Sequence, residues 1–215
     1  MVRRTYIRDL IKPLVDAEAQ SYGAGRWPLV YDDQRADLMG QTPFVIWFTG
    51  LSGAGKSTLA ELLDKRLHDL RLHTYILDGD VLREGMCRDL GFSDDDRAEK
   101  IRRAGEIAKL MTNAGLIVLC AFVSPFRDGR AGVRKSLPPG AFIEVFVDTP
   151  LIECQRRDPK GLYAQASAQK KTLMTGIDSP YEPPQAPELH LKTEGTAPEI
   201  LVEKILQYLV AAHLV

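Results

Sequence analysis

The segment FTGLSGAGKST, residues 48–58, lies between an apolar, strand-like run, PFVIW, and a helix-like run, LAELLDKRL. Its residues fall as Gly50-x-x-x-x-Gly55-Lys56-Ser57, and no other stretch of the chain restricts the fold as strongly. Glycines there let successive backbone N–H groups turn toward one point without Cβ clashes. A helix starting near Lys56 adds the positive end of its dipole. The pattern predicts a phosphate cradle, with Lys56 reaching the β- and γ-phosphates and the Ser57 hydroxyl on Mg²⁺. A glycine turn with a solvated lysine is the plainer reading of the same residues. The strand before and the helix after favour the cradle. Because Lys56 follows the last glycine of GLSGAG directly, a mononucleotide triphosphate fits better than a dinucleotide.

From residue 43 onward apolar, β-rich runs alternate with helical patterns. The runs are FVIWF, TYILD, LIVLCAFV and FIEVFV, with ELHLKT as a possible last strand. The helical patterns are KSTLAELLDKRLHDL, DRAEKIRRAGEIAKLMTNA, FRDGRAGVRKSL and, at the end, APEILVEKILQYLVAAHL. In the second of these Ile101, Ala104, Ile107, Ala108 and Met111 share one face, and Gly115 closes it. Continuous apolar strands alternating with helices predict an α/β fold, a predominantly parallel five-stranded sheet sandwiched by helices, as in P-loop NTPases. Residues 1–40 read as an N-terminal extension, partly helical or disordered. Residues 41–215 read as the kinase-type domain, with a mobile lid over about 158–186 that holds the long polar stretch GLYAQASAQKKTLMTGIDSPYEPPQAP.

The net charge of −1 on 215 residues supports neither a nucleic-acid coat nor a polybasic membrane patch. No run approaches membrane-spanning length and the basic N-terminus lacks an apolar signal core, so the cytoplasm is expected. Cys87, Cys120 and Cys154 show no paired spacing and no histidine cluster, which excludes a disulfide framework or zinc site as an expectation.

The class of phosphate-binding protein is narrowed by what surrounds the cradle. Asn113 is the one asparagine, so a guanine-reading NKxD motif is absent. The strand LIVLCAFVSP ends in no acidic residue, unlike that of motor ATPases. The acids come instead in YILDGD, where Asp78 and Asp80 would sit at the carboxyl edge of the sheet. Two carboxylates beside a polyphosphate suit holding Mg²⁺ through water and orienting an acceptor hydroxyl. Capping a turn is the alternative. A small-molecule kinase follows.

The blocks GLSGAGKST, LDGD..R.G, DLGFS..DR.E.IRR.GE.AKL, SPFR..R, IEVFVDTPL..C..RDPKGLY and TGIDSPYE.P..PEL.L together resemble the adenylylsulfate kinase (APS kinase) family over about residues 44–192. The resemblance implies transfer of the ATP γ-phosphoryl group to the 3′-hydroxyl of adenosine 5′-phosphosulfate (APS), giving PAPS for sulfate assimilation. It implies that Gly50, Leu51, Ser52, Gly53, Ala54, Gly55, Lys56, Ser57 and Thr58 hold ATP·Mg²⁺, with Asp78 assisting the metal. Asp80 would orient or deprotonate the acceptor hydroxyl, and Arg157 would close over the nucleotides. Arg83, Arg97 and Phe92 match acceptor-binding positions, where guanidinium forks suit phosphate and sulfate oxygens and an aromatic stacks on adenine. Ser124 matches a phosphoserine position of bacterial members. No base beside it is evident, so direct transfer is the expectation and Ser124 is equally an acceptor-site hydroxyl or a strand-end cap.

The chain departs from the family's common pattern at three acceptor positions. Lys100 stands for an asparagine, Met174 for a phenylalanine and Thr172 for a lysine. A soft thioether still covers a ring, and a lysine still bonds an anion. These changes leave two alternatives open: a divergent kinase for another nucleotide-like anionic acceptor, or a non-catalytic nucleotide-binding subunit. A homodimer and functional coupling to ATP sulfurylase complete what the resemblance implies.

Overall fold

The computed structural model describes residues 32–168 and 174–215. Most of the N-terminal extension, and with it the question of dimer contacts there, lies outside the described residues, as do Lys170, Lys171 and Thr172. The described chain runs α1 (Asp32–Met39), β1 (Val45–Thr49), α2 (Lys56–Asp69), β2 (Thr74–Asp78), α3 (Gly79–Glu84), α4 (Asp94–Asn113) and β3 (Ile117–Ala121). It continues through α5 (Arg127–Ser136), β4 (Phe142–Asp148), α6 (Leu151–Arg157), α7 (Leu162–Ala168), β5 (Leu189–Lys192) and α8 (Pro198–Ala211).

The five strands form one sheet in the order β2-β3-β1-β4-β5, and every pairing is parallel. β1 and β3 are buried along their whole length, which is why their sequences are apolar without alternation. Their side chains nevertheless sort by period two. Ile46 and Phe48 join Leu59, Leu63 and Leu67 of α2 and Ile205 and Leu209 of α8 on one face. Val45 and Trp47 join Ile101, Ala104 and Ala108 of α4 and Val133 of α5 on the other. The α/β sandwich predicted from the alternation is therefore present.

α4 is fixed at both ends by local chemistry. The Ser93 hydroxyl accepts from Asp96 N and the Asp96 carboxylate accepts from Ser93 N, a reciprocal capping box. Gly115 lies one residue past the cap at φ +93°, a conformation that ends the helix cleanly.

Three short helices, α3, α6 and α7, have no counterpart in the sequence reading, because six or seven residues give too little periodicity to register. α7 lies within the stretch read as a lid over about 158–186. It forms because the Asp158 carboxylate accepts from Tyr163 N and Ala164 N at 3.2 and 3.0 Å, and because Tyr163 is buried against the core. The far end of the same stretch is bonded to the body. Tyr181 Oη shares a hydrogen bond with Thr49, Glu182 N donates to the Pro125 carbonyl, and the buried Arg130 donates to the Glu182 carbonyl. Arg130 also donates to Glu144 on β4 at 2.6 Å, so its charge is paired inside the protein.

Gly105 lets α4 and α5 approach closely: a Cβ there would stand 2.6 Å from Val133 Cγ2. Alanine normally improves a helix interior over glycine, yet here overpacking dominates. Gly105→Ala is expected to lower the unfolding free energy by roughly 1–2 kcal/mol in urea titration, and Val133→Ala in the same chain to recover part of it. A stabilised single variant would contradict this packing.

Candidate active site

The turn between β1 and α2 is shaped by backbone lying against backbone. Gly50 has φ +152°, and a Cβ on it would come within 2.5 Å of the Val147 carbonyl oxygen. Gly53, at φ +75°, would place a Cβ 2.9 Å from the Cys154 carbonyl. Only glycine fits either position. Gly55 then serves as N-cap of α2 at φ +105° and offers no side-chain cap, so the amides of the first helical turn face the loop. Lys56 Nζ donates to the carbonyls of Gly50 (3.0 Å) and Leu51 (2.7 Å). Burial lowers its ammonium to about 8. Such a loop offers an anion several N–H groups, a helix dipole and a cation at once.

This turn floors a cavity of about 1100 Å³. That exceeds the usual range for one drug-sized ligand and suits two nucleotides side by side. Residues 52–58 line it, whereas Gly50 and Leu51 do not: their carbonyls hold Lys56 from behind, and Leu51 packs toward Gly176. Asp78, Asp80, Arg83, Phe92, Arg97, Lys100, Ser124, Arg157 and Met174 all line the same cavity.

Asp78, at the end of β2, does two things. One carboxylate oxygen accepts from Asp80 N at 2.8 Å and caps α3, as the turn-capping reading expected. The other accepts from Ser57 Oγ at 2.7 Å. No cluster of three His, Cys, Asp or Glu side chains occurs among the described residues. Mg²⁺ needs none, since it keeps several waters and takes one or two protein oxygens beside phosphate, so the Ser57–Asp78 pair fits it. Asp80 faces across the cavity and forms an ion pair with Lys160. Partial burial alone would raise its carboxyl. The Lys160 hydrogen bond and charge, with Lys100 and Arg83 behind, bring it below its ordinary value.

The cavity's cations stand beside Asp80. Arg83 lies 4.1 Å over the Phe92 ring, and Phe92 is itself largely exposed to the cavity side. Arg97 donates through Nε to the Phe92 carbonyl (3.0 Å) and through Nη1 to Thr175 (2.5 Å). Lys100 Nζ donates to the Gly79 carbonyl at 2.6 Å. Burial, then the charge of Arg83, lowers it to about 8. Met174 packs at the edge of the core and lines the cavity beside Thr175.

Ser124 has φ +39° at the end of β3 and is 2% exposed. Its hydroxyl donates to Thr49 Oγ1 (2.9 Å) and accepts from Trp47 Nε1 (3.1 Å), and its carbonyl accepts from Arg130 (2.6 Å). Among the described residues this hydroxyl meets no carboxylate or imidazole. Arg157 is oriented by Glu153 at 2.8 Å and reaches toward the Ala54 carbonyl and Thr193.

Sequence reasoning missed Lys160 and the far lining, Thr193, Thr196, Pro198 and Leu201. Lys160 lies inside the block RDPKGLY, but its partner is 80 residues away in sequence and only the fold joins them. The Glu153–Arg157 pair was findable, being i,i+4 on one helix. Replacing Lys160 by Met is expected to raise the Asp80 carboxyl pKa in a carbon-detected NMR titration, because burial then acts against fewer charges. An unmoved carboxyl would show that the pair does not set its ionisation.

Residues 42–192 match the adenylylsulphate kinase family. A bifunctional enzyme NodQ from Azospirillum brasilense is 61% identical over 176 residues, covering 82% of this chain and 28% of that one. The chain thus spans a little over a quarter of the length of such relatives. An adenylyl-sulfate kinase from Marinobacter nauticus is 53% identical over 182 residues, covering 85% of this chain and 92% of that one. Among solved structures, the Mycobacterium tuberculosis APS kinase CysC in complex with AMPPNP and APS superposes with a TM-score of 0.75 at 44% identity, covering 79% of this chain and 98% of that one.

Proposed function

This chain belongs to the adenylylsulphate kinase family, and from that membership we propose that it transfers the γ-phosphoryl group of ATP to the 3′-hydroxyl of adenosine 5′-phosphosulfate, giving PAPS and ADP. The observation that carries the reading is a single cavity with a triphosphate-type turn on one side and Asp80 with an arginine–aromatic wall on the other. Relatives of matching length named adenylyl-sulfate kinase support it.

In the proposed reaction the acceptor 3′-oxygen bonds to the γ-phosphorus while the bond from that phosphorus to the β,γ-bridging oxygen breaks, and ADP leaves with the electron pair. Lys56 moves from the Gly50 and Leu51 carbonyls onto the phosphate oxygens, where the amides of the first turn of α2 also point. Ser57 and Asp78 would hold Mg²⁺, which would neutralise charge on the phosphate oxygens. Asp80 accepts a hydrogen bond from the 3′-hydroxyl and aims it. Its low basicity suits a loose transition state in which little negative charge is drawn from the nucleophile. The displaced proton passes to Asp80 or to water. Arg83 and Arg97 meet the phosphosulfate, Phe92 stacks on its adenine, and Lys100 and Met174 modify that seat without removing it.

Ser124 fits a supporting role better than a phosphoenzyme. Its hydroxyl is engaged on both sides and meets no carboxylate or imidazole among the described residues. The lid comprises the segment from about residue 158 that carries Lys160 and α7. Occurrence as part of a longer bifunctional protein in relatives fits coupling to a reaction that supplies APS from ATP and sulfate. A homodimer and a cytoplasmic location belong to the same proposal. No described helix is long and apolar enough to cross a membrane.

With ATP, Mg²⁺ and APS the protein is expected to form PAPS and ADP in equal amounts. Lys56→Ala is expected to lower kcat by roughly 10²–10³-fold with an unchanged melting profile. Absence of PAPS at saturating substrates, or near-normal turnover by the variant, would end the assignment.

A further inference from the structure

The acceptor wall hangs on the turn between α3 and α4, residues 85–92. Its internal hydrogen bonds are short-range: Cys87 N to the Leu82 carbonyl, Arg88 N to Gly85 and Leu90 N to Cys87. Arg83 holds one end by donating to the Gly91 carbonyl at 3.1 Å, and Arg97 donates to the next carbonyl, that of Phe92. Both arginines would be drawn toward an anionic acceptor, so neither is a fixed post for the turn.

Cys87 is buried in the core and Leu90 packs against it, and the polar post of the turn comes from outside the cavity. Arg103, on α4, does not line it. Its Nη1 donates to the Met86 carbonyl at 2.9 Å and to Asp89 Oδ1 at 2.7 Å, and Nη2 donates to Asp89 Oδ2 at 2.8 Å. Nε donates to Glu99 at 2.9 Å, which fixes the plane of the guanidinium on its own helix. Four of the five donor positions of one planar fork are thereby used on two elements.

We propose that Arg103 is a positioning residue for the acceptor: by clamping Met86 and Asp89 to α4 it sets the turn that presents Phe92 beneath Arg83. This rests on the reading of that wall as the acceptor seat. The plainer account is a surface ion pair that adds a little stability, since Asp89 is more than half exposed. The two accounts differ in which kinetic constant moves. A clamp acts on the acceptor alone, because the triphosphate turn is built on β1, β4 and α6 and shares no hydrogen bond with residues 85–92 among those described. They also differ in what lysine can do, since an ammonium keeps the charge but cannot make the bidentate contact.

Steady-state kinetics on the full chain, with ATP and APS varied separately, decide the matter. Arg103→Gln is expected to raise KM for APS roughly tenfold, the scale of a small misplacement of a binding group, with KM for ATP unchanged within about twofold. Asp89→Asn should reproduce this, the double variant should be no worse than either single one, and Arg103→Lys should not restore the parent value. Arg83→Ala serves as the control, with an expected rise in the same constant. If Arg83→Ala raises KM for APS while Arg103→Gln does not, the clamp is wrong. It is equally wrong if both KM values rise together with a lowered melting temperature, or if Arg103→Lys behaves as the parent. If Arg83→Ala leaves KM for APS unchanged, the acceptor wall itself is misassigned and the clamp goes with it.

Discussion

The carbonyl oxygen of Val147 occupies the place where a side chain at residue 50 would have to go, and the carbonyl of Cys154 does the same at residue 53. β4 and α6 thus press the β1–α2 turn into a shape that only glycine allows. The residues proposed to handle phosphate are arranged around that contact. It leaves the first-turn amides of α2 uncapped, folds Lys56 back over the loop, and brings Ser57 within a hydrogen bond of Asp78. Because the contact is between main chains, its position is set by the parallel register of the sheet. Phe48 stands beside Val145, and Thr49 beside Phe146, just before the turn departs.

A second consequence is the separation of two adjacent acids into two jobs. Asp78 ends β2 and must satisfy the first amides of α3, so one of its oxygens is committed to structure while the other faces Ser57. Asp80 is already on the helix, where Lys160 meets it. The Lys160 ammonium therefore favours the ionised carboxylate. A hydroxyl donor that takes its place finds an acceptor oxygen already aimed, which is the preorganisation that phosphoryl transfer rewards.

Much of this was visible in the chain itself, for local reasons. Strands buried on both faces read as apolar runs, and the glycine-lysine pattern names its own geometry. Gly115 marks the end of α4 because the required φ is rare for other residues. What was hidden depends on partners far apart in sequence. Arg130 and Glu144 look like surface charges until the sheet places Glu144 under α5. The exclusion of Leu51 from the cavity follows from packing against Gly176, and α7 exists because Asp158 and the burial of Tyr163 compensate for a weak local pattern. Charge pairing across the fold, unlike hydrophobic period, leaves no trace within a window of a dozen residues.

In the proposed reaction donor and acceptor share the one cavity, and Ser124 is tied to Thr49 and Trp47, so a single displacement at phosphorus is the expected course. The configuration of the transferred group tests this directly, using ATP made chiral at the γ-phosphorus with oxygen isotopes and reading the 3′-phosphate of the product. Inversion is the expected result. Retention would mean that the group passes through the protein, and would contradict the account of a carboxylate aiming an alcohol at ATP held in the glycine turn.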